Sequence, residues 1–171
     1  MKHLFALLAG YNRWANDRLY AAAAALPDAE YRAVHGAPQA SVHGRLSHVL
    51  VADRVWMHRF TGDGPVHQSF DELPFETLAA LTSARREEDD RIVAWIEGLD
   101  KERFGELVTY RLISATDDLT QPLAPLLTHM FMHQTHHRGQ AHGLLTAIAG
   151  DKAAPAIDLI YFQRQTGVET A

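Results

Sequence analysis

Thr128 to Gln140 reads Thr-His-Met-Phe-Met-His-Gln-Thr-His-His-Arg-Gly-Gln. It holds four of the chain's eleven histidines: His129, His133, His136 and His137. A helix turns once in about 3.6 residues, so residues four apart lie about 40° apart around the axis and about 6 Å apart along it. His133 and His137 are therefore expected on one face, on successive turns. Two imidazoles so placed can grip one metal ion through metal–nitrogen bonds of about 2 Å. The chain has no cysteine, so a metal site here must use nitrogen and oxygen donors, and disulfides and thiol nucleophiles are excluded.

The histidines interrupt an apolar stripe. Leu123, Leu127, Met130, Gln134, His137, Ala141, Leu144 and Ile148 follow the three-four alternation of a buried helix seam, flanked by Leu126, His133, Gln140 and Ala147. A polar belt inside such a stripe destabilises the fold unless its groups are paired or coordinate something. Core histidines bonded to backbone or to each other are one explanation, and a metal site is the other. A same-face pair with further histidines adjacent favours the metal. Other chemistries find no support: there is no His-Glu-x-x-His pattern, no Glu-x-x-His pair of a di-iron bundle, no Gly-rich phosphate loop and no Gly-x-Ser-x-Gly elbow.

The elements that must carry these residues are helices. The first is expected over Lys2 to Leu26, where Leu4, Leu7, Leu8, Tyr11, Trp14 and Leu19 recur at helical spacing and Pro27 ends it. Pro27 to Gln39 reads as a connection with one short turn. A second helix runs from Ser41, a predicted N-cap, to Phe60. It is apolar nearly all round, yet contains His48 and Asp53. Alone, His48 reads as a hydrogen-bonded core histidine; the other reading is a third ligand from a facing helix. Thr61 to Pro74 is a loop long enough to cover one end of a site. The third helix spans Phe75 to Gly98, with the charge run Arg85 to Arg91 as a solvated face, which makes Asp89 and Asp90 poor ligand candidates. Lys101 to Thr120 alternates weakly and suggests a hairpin, with a turn at Ser114 to Asp118. The histidine helix runs from Pro122 to Gly150, and a last helix covers Ala156 to Gln165.

Four long helices, one short one and little strand predict an all-α, four-helix bundle in a single domain over residues 1–171. A net charge of −5 and no basic block exclude a nucleic-acid footprint. No apolar stretch reaches membrane-spanning length, and Leu4 to Ala9 is too short for a signal core, so the cytoplasm is the expected location.

With the elements placed, the residues resemble a known family. His48 in Ser-His-Val-Leu-Val-Ala-Asp-Arg-Val-Trp, followed by His-Gln-Thr-His-His-Arg-Gly-Gln at 133–140, is similar to the DinB-like proteins. Tyr11-Asn12-Arg13-Trp14-Ala15-Asn16 and Asp158-Leu159-Ile160-Tyr161-Phe162 look like that family's opening and closing helices. The resemblance implies a bundle in which His48, His133 and His137 hold a divalent ion, zinc or nickel. It also implies relatedness to thiol-dependent S-transferases that use low-molecular-weight thiols, a small-molecule substrate, a stress-response setting and a homodimer. His129 falls outside that triad as a group close to it, and His136 as a packing or surface residue.

Three neutral imidazoles with an open position make a catalytic rather than a closed structural composition. The chemistry of such a site is activation of water or a thiol at neutral pH, toward a small electrophile entering from the bundle end. Asp53 or Gln140 could orient a ligand imidazole; Asp53 could equally be an exposed or capping carboxylate. Arg138 could bind an anionic substrate or pair with a surface carboxylate. Two other classes remain beside the enzyme: a non-catalytic metal-binding protein, and an assembly protein whose histidines only stiffen the core.

Overall fold

The computed structural model describes residues 1–36, 40–113 and 115–168. Residues 37–39, Ser114 and the last three residues lie outside them, and with them the end of the connection expected before Ser41, the first residue of the Ser114–Asp118 turn and the end of the tail. In chain order the elements are α1 (Lys2–Ala24), α2 (Asp28–Arg32), α3 (Val42–Thr61), α4 (Leu78–Glu97), a 3₁₀ turn (Lys101–Gly105), β1 (Leu107–Arg111), β2 (Asp118–Pro122), α5 (Leu123–Ala149) and α6 (Leu159–Thr166). Helix α1 packs on α4 and α5, and α3 packs on the same two, so α1, α4, α3 and α5 follow one another around a four-helix bundle. The short α6 lies on α1, and the hairpin lies against α3 and α5.

Local chemistry sets the element ends. Ser41 caps α3, its hydroxyl accepting from the Gly44 N–H at 2.9 Å, and Gly62 ends that helix in the left-handed region at φ 73°. Thr77 caps α4 in the same manner, its hydroxyl accepting from Ala80 N–H at 3.2 Å. That cap starts α4 at Leu78 rather than Phe75. The expected hairpin is present, with β1 and β2 antiparallel and Thr109 opposite Thr120. It extends to Pro122, which therefore ends a strand and precedes α5 instead of opening it. Proline has no N–H to give, so it serves equally well at either place.

The core is layered along the helices. One apolar half gathers Phe5 and Ala9 of α1, Trp56, Met57 and Phe60 of α3, Ile92 and Ile96 of α4, and Leu127, Met130 and Phe131 of α5. The other gathers Leu19, Leu46, Leu50, Leu81, Ala141 and Leu145 from the same four helices. Between these positions every helix contributes buried polar residues: Asn12 and Asn16, Asp53, Arg85 and Asp89, Gln134 and Arg138. The run Arg85 to Arg91 is thus not simply a solvated face. Arg85, Glu88 and Asp89 point inward and are buried, whereas Arg86, Glu87 and Asp90 are exposed. Charge density alone misled here, because the run also carries helical period: three and four residues separate the inward groups.

Candidate metal centre

Helix α5 turns two different polar faces to its neighbours. Gln134 and Arg138 face the interior, at 0% and 1% exposure. His133 and His137, one residue earlier in each case, are half-buried on the adjoining flank. There they meet His48 of α3. Ring centroids of His133 and His137 are 4.2 Å apart, His48 and His137 4.2 Å, and His48 and His133 5.4 Å. Each of the three can offer a ring nitrogen such that all three nitrogens lie within 4.8 Å of one another, a group that could hold a metal ion. The cluster lies midway along α5, on its half-buried flank.

Hydrogen bonds set which nitrogens are free. The Nδ1–H of His48 donates to the Phe70 carbonyl at 3.0 Å, and the Nδ1–H of His137 donates to Gln140 Oε1 at 2.9 Å. Both bonds assign the proton to Nδ1 and leave Nε2 with its lone pair. The Nε2 of His48 is buried and has no hydrogen-bond partner among the described residues. A buried imidazole acceptor without a donor is costly in a settled core. It is the arrangement a metal ligand needs, with one nitrogen held from behind and the other free. The donor set therefore fits a metal ion that takes imidazole ligands.

The three rings also resist protonation. Burial, followed by the neighbouring His137 and His48, pushes His133 down to about 3. Burial and then His48 push His137 down to about 4, against the bond to Gln140. Burial lowers His48 as well, opposed by the Phe70 carbonyl. Neutral imidazole is the form that binds metals.

The loop between α3 and α4 supplies the Phe70 carbonyl, and Glu72 shapes that loop. Its carboxylate accepts from His67 Nδ1–H at 2.6 Å, from Gln68 N–H at 2.6 Å and from Ser69 N–H at 3.0 Å. The loop expected over Thr61 to Pro74 is present and reaches His48 through Phe70, but neither Phe70 nor Glu72 stands out in the sequence. A signal existed in the Ser-x-x-Glu spacing of Ser69 and Glu72, which also marks helix starts.

The remaining candidates separate. Of the two residues expected to orient an imidazole, Gln140 accepts from His137, and its Nε2–H reaches the exposed His136 at Nε2 over 3.0 Å. His129 is exposed; its ring meets Trp56 at 5.2 Å and His133 at 6.0 Å. Asp53 neither orients a ligand nor caps a helix. It is buried, and accepts from Arg85 at 2.6 Å and Gln134 at 2.8 Å. Burial raises its carboxyl to about 6 despite Arg85 and Gln134. Arg138 is buried and pairs with no surface carboxylate among the described residues. It donates to Asn12 Oδ1, and its guanidinium lies 5.1 Å from the Tyr11 ring centre. Asn12 and Asn16 in turn donate to Asp89 at 2.8 and 3.0 Å. The Tyr11 to Asn16 motif is thus a bundle-locking device, its Tyr11 hydroxyl donating to the Ile157 carbonyl at 2.8 Å.

A comparison with protein-family models bears on this arrangement. The model described as the DinB family matches residues 1–167. The chain belongs to the DinB family. No curated protein matches it. In this DinB-family chain the histidines of α3 and α5 come together, and the helical bundle with a C-terminal helix is the architecture expected from the sequence. No helix among the described residues is long and apolar enough to cross a membrane.

Proposed function

We propose that this DinB-family protein is a metalloenzyme in which His48, His133 and His137 hold one divalent ion, zinc or nickel, and activate a thiol or water toward a small electrophile. The observation that carries the proposal is the free Nε2 of His48 set beside His133 and His137, with the Nδ1 atoms of His48 and His137 already engaged. An ion held by three neutral imidazoles would supply positive charge that favours deprotonation of a thiol or water at neutral pH. The chain's own groups do the rest. The Phe70 carbonyl and Gln140 hold two imidazoles in the metal-binding tautomer. The loop shaped by Glu72 reaches His48 through the Phe70 carbonyl, and the His129 ring lies 6.0 Å from that of His133 and 5.2 Å from that of Trp56. All three residues are half-buried, neither sealed in the core nor fully exposed.

The test is a two-part measurement on protein purified without a histidine tag. Plasma mass spectrometry is expected to find close to one zinc or nickel per chain, and His133→Ala to lose it. A screen of low-molecular-weight thiols with small electrophiles is then expected to give a rate that needs both metal and thiol, or metal and water. Bound metal with no turnover under any of these conditions would leave a metal-binding protein without catalysis. No bound metal would remove the whole proposal.

A further inference from the structure

Apart from the histidine cluster, a cavity of about 400 Å³ lies between the second half of α3, the loop that follows it, and β1. Its apolar lining includes Val55, Val66 and Ile113. Its basic and aromatic lining comes from His58, Arg59, His67, Tyr110 and Arg111. No aspartate or glutamate lines it among the described residues.

Arg59 is the central charge. Its guanidinium lies 4.6 Å from the Trp56 ring centre and 5.1 Å from that of Tyr110, and donates to the Arg111 carbonyl at 2.9 Å. It is half-buried, yet it has no carboxylate partner among the described residues. Burial draws its pKa downward, with Tyr110 opposing. Such a guanidinium keeps planar donors for a carboxylate.

His67 is the second feature. Its side chain is 6% exposed, and its Nδ1–H donates to Glu72 at 2.6 Å. Glu72 accepts two backbone N–H groups as well, and those bonds hold its carboxyl below the usual range, the His67 bond contributing most. The Nδ1 of His67 therefore carries a proton, which in the neutral ring leaves Nε2 as an acceptor. That Nε2 is buried without a partner among the described residues. His67 lines the cavity, and a ring nitrogen left without a partner there is satisfied by a donor that reaches it.

We propose that this cavity is a second ligand site that binds a small hydroxycarboxylate. Arg59 pairs with the carboxylate, His67 Nε2 accepts from the hydroxyl, and Val55, Val66 and Ile113 cover the hydrocarbon part. The volume lies within the usual range for small-molecule pockets. An inorganic anion such as phosphate would leave the apolar lining uncovered. The site does not depend on a metal at the three histidines.

The probe is mandelate, titrated into the full ¹⁵N-labelled chain and followed by amide shifts, both as purified and after dialysis against EDTA. Saturable shifts are expected at Arg59, Tyr110 and Ile113, unchanged by EDTA. Mandelamide, with the same ring and hydroxyl but no charge, is expected to bind at least tenfold more weakly, and so is mandelate to Arg59→Gln. Phenylacetate, which lacks the hydroxyl, is expected to bind several-fold more weakly than mandelate. Equal binding of mandelate and mandelamide overturns the site, and needs no variant to fold. So does a response confined to His133–Gln140 that EDTA abolishes, because the carboxylate would then sit on an ion at the histidine cluster. Phenylacetate binding as tightly as mandelate overturns the role of His67.

Discussion

Replacing Gln140 with leucine removes the acceptor that holds His137. The lost bond is 2.9 Å long and half-buried, and it is the bond that places the His137 proton on Nδ1. A neutral hydrogen bond contributes about 0.5–1.5 kcal/mol net, which is about two- to twelvefold in a dissociation constant. Loss of the partner behind a ligating imidazole also frees the ring to turn and to take the wrong tautomer, and such losses run to about 10–100-fold in metal affinity. The expected result for Gln140→Leu is therefore zinc binding weakened by roughly one to two orders of magnitude. Gln140→Glu keeps an acceptor opposite Nδ1 and is expected to bind at least as tightly as wild type. His136→Ala removes only the acceptor on the far side of the carboxamide, so its effect should stay within about twofold. Competition titration against a chromophoric chelator reads all three, with thermal melts as a control for folding. A Gln140→Leu constant equal to that of wild type, or a His136→Ala loss as large as that of Gln140→Leu, would refute the role given to this bond.

Two further outcomes concern the bundle itself. Asp53→Ala leaves Arg85 with one fewer carboxylate and Gln134 Nε2 without its acceptor, deep in the core. Breaking a buried pair from one side costs about 3–5 kcal/mol, or about 6–20 °C in Tm for a chain of this size, and a loss below about 1 kcal/mol in urea melts would count against the polar layer. Ser41→Ala removes the cap of the helix that carries His48. It is expected to cost about 1 kcal/mol by the same melts, while zinc affinity measured per folded molecule stays near wild type.

The helices were legible because their signals are local. Ser41 as a cap, Pro27 as a stop and the apolar stripe of α5 each act within a few residues. The pairing of His133 with His137 was legible for the same reason, since helical pitch alone puts them together. His48 was different. Nothing in its neighbours distinguished a ligand from a core histidine, and only the resemblance to other chains placed it. The polar layer was misread because its partners are distant in sequence. Asp53 finds Arg85 and Gln134, and Arg138 finds Asn12, only once four helices are packed, so each looked exposed or functional by itself. The inward seam of α5 differs by one residue at His137 and Leu144, where Arg138 and Leu145 are the buried groups. The three-four alternation put His137 inside and left Arg138 out. The bundle does the reverse, since Asn12 can satisfy the guanidinium and the flank is where α3 brings His48.

The most direct test of the central claim is a crystal structure of protein grown with no added metal, collected above and below the zinc and nickel absorption edges. One anomalous peak is expected about 2.0–2.1 Å from Nε2 of His48 and His137 and from a ring nitrogen of His133. A peak at other side chains, or three histidines joined only by water after purification without chelator, would contradict it.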